Sequence, residues 1–316
     1  MAELKACEAD VSKYAAWIRA NLGQANGIHI SALMHRCAKF SVPITSTQLT
    51  ELANRLKDVD LNATAVANAL YGLSYISWDH VGARAMLRVL AAKVAACREE
   101  LSPQAVGNAL YGLRNMSSDH EEVRSMLGVL ARKVAGCRDV LGPQAVAMAL
   151  HGLRKMSSDH QEVRSMLGVL TKKVADCKEE LSPQGVGNAL NGLRNMSSDH
   201  EEVRSILGVL VEKVASCRDP LNPLEISNAL YGLKGMDLGK DWRPFFSRLC
   251  SDGHRAAGSG TPRLRDSRLL TRTLFFLTEL DWPLRASLEK MGAMDNLVGL
   301  RRAMLLAVDK EVGIIR

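Results

Sequence analysis

A segment that repeats itself every forty residues constrains this chain more than any other feature. Rows beginning at Leu61, Leu101, Leu141, Leu181 and Leu221 align without a gap at that period. Between 101–140 and 181–220 seven positions differ (105/185, 111/191, 126/206, 131/211, 132/212, 136/216 and 140/220), which leaves thirty-three of forty identical. A period of this length is the mark of stacked supersecondary units, none of which buries its apolar face alone.

Each unit reads as two helices. In the unit starting at Leu101, Ser102 is placed to cap a helix whose first position is Pro103, where the missing N–H costs nothing. Leu101 and Val106 have the spacing of a hydrophobic staple around that cap. Val106, Ala109, Leu110, Leu113 and Met116 recur at helical spacing and define one apolar face. Ser117-Ser118-Asp119 is expected to end this helix and cap the next, with Glu121 and Glu122 placed for a capping box. The second helix buries Val123, Met126, Leu127, Leu130, Val134 and Cys137, and its end carries Arg132, Lys133 and Arg138, which complement the helix dipole.

Stacked, such hairpins predict an all-α solenoid: a right-handed superhelix of tandem ~40-residue helix-turn-helix repeats with degenerate capping helices. Residues 61–240 hold the regular array. Residues 1–60 hold an amphipathic helix over 4–22 and a degenerate unit around Ile30–Met34 and Ser46–Leu49. Residues 241–316 hold a worn second helix from Trp242 to Cys250, a loop from Ser251 to Pro262, and terminal helices over 267–280 and 283–312.

The bulk numbers agree. Hydrophobic residues make up 47% and charged residues 24%, the mix of a folded domain rather than a disordered tail. Nine prolines and 4% aromatics lean the composition towards helix. No run of eighteen apolar residues exists, so no membrane partner is expected. The N-terminus lacks the basic and apolar regions of a secretory signal, and Glu3, Glu8 and Asp10 make it a poor transit peptide as it stands. The net charge of +7 suits a polyanionic partner without indicating a non-specific nucleic-acid coat.

Differences between units fall on one stripe of the first helix. At 100° per residue, the positions opposite the apolar face are Gln104, Asn108, Tyr111 and Asn115, with Arg114 on the shoulder. Their equivalents are Gln144, Met148, His151, Arg154 and Lys155, then Gln184, Asn188, Asn191, Arg194 and Asn195. Asn68 and Tyr71 precede them, and Asn228, Tyr231 and Lys234 follow. Asn and Gln can pair with base edges, Tyr and His can stack on bases, and Arg or Lys can neutralise phosphate. A solvated face that merely drifts would be rich in Glu, Lys, Ser and Asp, whereas this stripe contains no acid. Positions 108, 111 and 115 and their equivalents are expected to contact bases, and Arg114, Arg154, Arg194 and Lys234 to hold phosphates. The rival expectation is a scaffold whose concave face grips a peptide or helix of a partner protein.

The core Leu-x-Pro-x-x-(Val/Ile)-x-x-Ala-Leu-x-Gly-Leu, at Leu101–Leu113, Leu141–Leu153, Leu181–Leu193 and Leu221–Leu233, resembles the octotricopeptide repeats of organellar RNA-binding proteins. The resemblance covers about residues 61–236. It implies an α-solenoid whose first helices line an RNA-binding concave face, acting in a chloroplast or mitochondrion on transcript stability, splicing or translation. Gly112 stands where that family commonly has Ala, Tyr, His or Asn stands where Trp is common, and no C-terminal RAP module is visible.

Other constellations suggest packing rather than chemistry. Asp79-His80, Asp119-His120, Asp159-His160 and Asp199-His200 recur once per unit. Equivalent positions on stacked helices lie about 8–10 Å apart, too far for four of them to close on one zinc ion, so Asp is expected to cap a helix. Cys97, Cys137, Cys177 and Cys217 read as buried small hydrophobes in a reducing, intracellular compartment, with neither a CxxC pair nor a disulfide framework. Met116, Met126, Met156, Met166 and Met196 fall on core phases. Gly258-Ser259-Gly260 reads as a flexible connection, not a phosphate loop. Arg243, Arg248, Arg255, Arg263, Arg265, Arg268 and Arg272 form a basic cluster suited to a nucleic-acid backbone. No nucleophile–base set or paired carboxylates stand out. The expectation is a non-enzymatic binding protein with no cofactor, no metal and no small-molecule substrate.

Overall fold

In a computed structural model, residues 10–76, 81–258 and 282–292 and Val298 are described, and every regular element among them is helical. The chain divides into two compact units, Met1–Cys177 and Lys178–Arg316. The first opens with α1 (Val11–Asn21) and continues with four hairpins: α2/α3 (Gly27–Lys39, Ser46–Lys57), α4/α5 (Ala63–Leu73, Val81–Ala96), α6/α7 (Pro103–Gly112, Glu121–Gly136) and α8/α9 (Pro143–Gly152, Gln161–Asp176). The second contains α10/α11 (Pro183–Asn191, Glu201–Ser216), α12/α13 (Pro223–Gly232, Arg243–Gly258) and α14 (Trp282–Met291).

In the first unit, α2, α4, α6 and α8 pack successively into one row and α3, α5, α7 and α9 into a second. In the second unit α10 packs on α12, and α13 lies against both α11 and α12. This two-row stacking of hairpins is an all-α solenoid. Its core follows the apolar phases of the sequence: Val106, Leu110, Leu113, Val123, Met126, Leu127, Leu130 and Val134 are fully buried. Each such side chain contributes about 1.5–3 kcal/mol by leaving water.

Helix starts follow the expected chemistry at the first helices. Ser102 Oγ accepts the Ala105 N–H at 3.2 Å, Ser182 Oγ accepts that of Gly185 at 3.1 Å, and Pro103 and Pro183 occupy the opening turn. Asn222 and Glu225 form a complete capping box, as do Asn26 with His29 and Thr45 with Gln48 in the degenerate first hairpin.

The second helices start differently from expectation. Asp119 is not their cap: the N-cap is His120, His160 or His200, with no side-chain cap bond. Asp119 instead closes a turn, its Oδ2 accepting from Ser117 Oγ at 2.8 Å. Arg124 folds back and donates Nη1 to the Ser118 and Asp119 carbonyls at 2.8 Å each. Arg164 and Arg204 do the same in their units. A cation six residues downstream thus holds the carbonyls of the preceding turn. Asp79 and His80 lie outside the described residues.

Two further expectations are corrected. The first helix stops at Gly112, and a tightened turn carries Leu113 and Met116 into the core through bonds from Leu113 N–H to Leu110 O and from Met116 N–H to Leu113 O. Helix α13 runs on to Gly258, through the loop expected from Ser251. Asp252, 5% exposed, accepts the Leu221 N–H at 2.9 Å and pairs with Arg248 at 3.5 Å, which fixes that extra turn on the core. Ser259, Gly260 and the expected helix over 267–280 lie outside the described residues, as do residues 4–9 of the expected N-terminal helix.

Successive second helices are also joined by lysines. Lys93 Nζ donates to the Lys57 carbonyl at the end of α3 at 2.9 Å, and Lys133 and Lys173 donate to the Cys97 and Cys137 carbonyls. These are C-terminal carbonyls without an intrahelical partner, and an ammonium suits the negative helix end.

Candidate nucleic-acid interface

The first-helix row is held together at glycines. A Cβ on Gly72 would stand 2.6 Å from Met34 Cβ, and one on Gly112 or Gly152 would stand 2.1 Å from the main-chain oxygen of Leu70 or Leu110. In the second unit a Cβ on Gly232 would stand 2.0 Å from Leu190 O. Nothing larger than hydrogen fits, so backbones meet directly at this position. That contact is the physical reason for Gly where the resembled repeats carry Ala.

Close approach at each glycine brings the preceding residues together. Tyr71 and Tyr111 stack with centroids 5.6 Å apart and planes 16° apart, and Tyr111 and His151 follow at 5.8 Å and 27°. His35 extends the row, 5.1 Å from Tyr71. These spacings are those of offset-stacked rings. The rings expected to receive bases therefore receive one another, and the inner faces of Tyr71 and Tyr111 are covered. His35 is not visible from the repeat as a member of the row, because it precedes Tyr71 by 36 residues rather than forty.

The shoulder arginines bind within the array. The Arg114 guanidinium lies over the rings of both Tyr111 (4.2 Å) and Tyr75 (4.6 Å), and its buried Nε has no hydrogen-bond partner. Arg154 donates Nε to the Arg114 carbonyl at 3.0 Å and Nη2 to Asn115 Oδ1 at 2.5 Å. Asn115 in turn donates Nδ2 to the Ser74 carbonyl at 2.7 Å. Ser74, Asn115 and Arg154 thus form a polar relay across three hairpins of the first unit. In the second unit Arg194 lies over the Tyr231 ring at 5.6 Å.

The remaining expected contact residues divide by exposure. Gln104, Gln144, Lys155, Gln184, Asn195 and Lys234 are exposed; Asn68, Asn108, Met148, Asn188, Asn228 and Tyr231 are half-buried; His151 and Asn191 are buried. Helices α2, α4, α6, α8 and α10 contain no Asp or Glu at all. Glu225 on α12 accepts the Asn222 N–H at 2.8 Å, and burial raises its carboxyl above the usual range. In the first unit the row is an acid-free face of amides, ring edges and a few cations.

Cys97, Cys137, Cys177 and Cys217 are buried, and burial pushes the Cys137 and Cys217 thiols up. Among the described residues no group of three or more His, Cys, Asp or Glu is placed to hold a metal ion, and no helix is long and apolar enough to cross a membrane. Of the expected basic cluster, Arg248 is engaged with the Asp219 carbonyl and Asp252, Arg243 is exposed, and Arg263, Arg265, Arg268 and Arg272 lie outside the described residues. No protein-family model and no curated protein matches the sequence.

Proposed function

We propose that the first-helix face is a sequence-selective binding surface for single-stranded RNA, and that the protein acts by binding rather than catalysis, in the post-transcriptional handling of an organellar transcript as the octotricopeptide resemblance implies. The observation that carries this reading is the absence of any carboxylate from α2, α4, α6, α8 and α10, since a polyanion is repelled by acids and tolerates amides. The geometry redistributes roles within the stripe. The exposed Gln104, Gln144 and Gln184, with Asn108 and Asn188 beside them, are the groups able to pair with base edges. In the first unit the stacked rings of Tyr71, Tyr111 and His151 run along the same row of helices, and exposed charge is supplied by Lys155 in the first unit and Lys234 in the second.

The test is fluorescence anisotropy of the full chain with a random pool of short single-stranded RNA at low and physiological salt. Alongside the native chain runs a variant with Gln104→Glu and Gln144→Glu, both on exposed positions that leave the packing untouched. Binding that weakens with salt and is lost in the variant supports the reading. Absence of binding by the native chain at low salt sinks it.

A second reading, a scaffold for a partner peptide, is favoured by one observation. Residues 101–220 carry 15 Lys and Arg against 14 Asp and Glu, a net charge of only +1. Peptide binding by this face would depend weakly on salt and would survive the two Glu substitutions.

A further inference from the structure

The ring of Tyr75 stands apart from the row. It is 49% exposed, and the aligned residues in later units are Asn115, Lys155, Asn195 and Gly235, so only this unit has an aromatic side chain here. The Arg114 guanidinium lies over the ring, and the ring also lines a cavity of about 140 Å³ with Cys37, Ala38, Val42, Pro43, Ile44 and Gly72. At ~30 Å³ per water that is room for roughly five waters, a size that takes a flat ring.

Two further features point to an anionic, planar occupant. Segments 36–44 and 72–76, which supply every residue of the cavity wall, contain Arg36 and Lys39 and no acid. Two polar atoms are buried without a hydrogen-bond partner: Oγ of Ser74, the residue before Tyr75, and Nε of Arg114, whose guanidinium lies over the Tyr75 ring; neither residue lines the cavity itself. Unsatisfied buried donors of this kind are uncommon in native proteins and mark strain or a missing partner.

We infer that Tyr75 and the apolar cavity beside it form a stacking site for one nucleotide of a single-stranded RNA, at the N-terminal end of the array, with Arg114 facing its phosphate. The inference rests on the RNA reading of the first-helix face and adds to it a single non-repeated site. Tyr71 and Tyr111 are closed to bases by ring neighbours on both sides, whereas Tyr75 has no aromatic neighbour on it among the described residues. The apolar wall takes a base of any identity, so the site anchors the strand while the exposed amides read it.

The experiment titrates the same random single-stranded RNA pool against the native full chain and Tyr75→Leu, Tyr75→Gln and Tyr75→Phe. One stacked base contributes a factor of about 5 to 150 in affinity. Leu and Gln are therefore expected to weaken binding within that range, while Phe, which keeps the ring, stays within about twofold of native. Native-like affinity in Leu and Gln overturns the site and leaves the RNA reading standing. Equal loss in Phe assigns the effect to the hydroxyl and overturns stacking. No binding by the native chain overturns both.

Discussion

Gly152 lies against the main-chain oxygen of Leu110 so closely that a Cβ at 152 would stand 2.1 Å from it, whereas a Cβ on Gly128, midway along the neighbouring second helix, would meet nothing within 4 Å. Two glycines of one array therefore have opposite consequences. Gly112→Ala and Gly152→Ala force first helices apart and are expected to cost about 1–3 kcal/mol, as overpacking does. Gly128→Ala and Gly168→Ala only remove a helix-interior glycine and are expected to gain about 0.5–1 kcal/mol. Urea midpoints of the four variants measure both, and equal effects of one sign would show that backbone contact does not set the spacing of the row.

Arg154 is the residue that later stages of the relay depend on. Its Nε reaches the Arg114 carbonyl and its Nη2 reaches Asn115, which holds Ser74. Arg154→Ala removes charge-assisted bonds, each contributing about 1.5–3 kcal/mol. Arg154→Lys cannot reproduce the two-nitrogen fork and is expected to recover less than half of the loss. The check is thermal unfolding of both variants beside Lys155→Ala, an exposed neighbour expected to stay within about 0.5 kcal/mol of native. A Lys variant as stable as the native chain would remove the relay from the account of stability.

How much of this was legible in the sequence depends on the range of the interaction. Caps at Ser102 and Ser182 and the buried phases of Val106, Leu110 and Leu127 are local or periodic, and they were readable. The exposure of Gln104, Gln144 and Gln184 follows from the same periodicity. What failed was what depends on a neighbouring hairpin. A helical wheel puts Tyr111 and His151 on the solvent side but cannot say that Gly112 and Gly152 bring the helices close enough for the rings to meet. It equally shows Arg154 as a free cation when its partners lie in the preceding hairpin. His35 escapes because the first hairpin is offset by 36 residues, and Asp252 because a buried acid within the Ser251–Gly253 turn signal is explained by the Leu221 N–H and the Arg248 guanidinium it faces in the fold.

His35, at the start of the ring row, gives the array a pH dependence whose sign follows from its surroundings. Burial lowers its pKa below the usual histidine value, and the Lys39 and Arg36 charges on the same helix lower it further. The unfolded chain therefore takes up a proton near pH 6.5 that the folded chain resists. Stability from this group is fully present above about pH 6.5 and is lost as pH falls through the lower folded value. Replacement by Phe keeps a ring against Tyr71 and removes the titration. Urea midpoints of the native chain and His35→Phe are expected to differ by a constant between pH 7 and 8, with the native chain losing ground to the variant between pH 6.5 and 5. Parallel curves down to pH 5 would mean that the folded chain accepts the proton as readily as the unfolded one, and that His35 stacks on Tyr71 as an imidazolium.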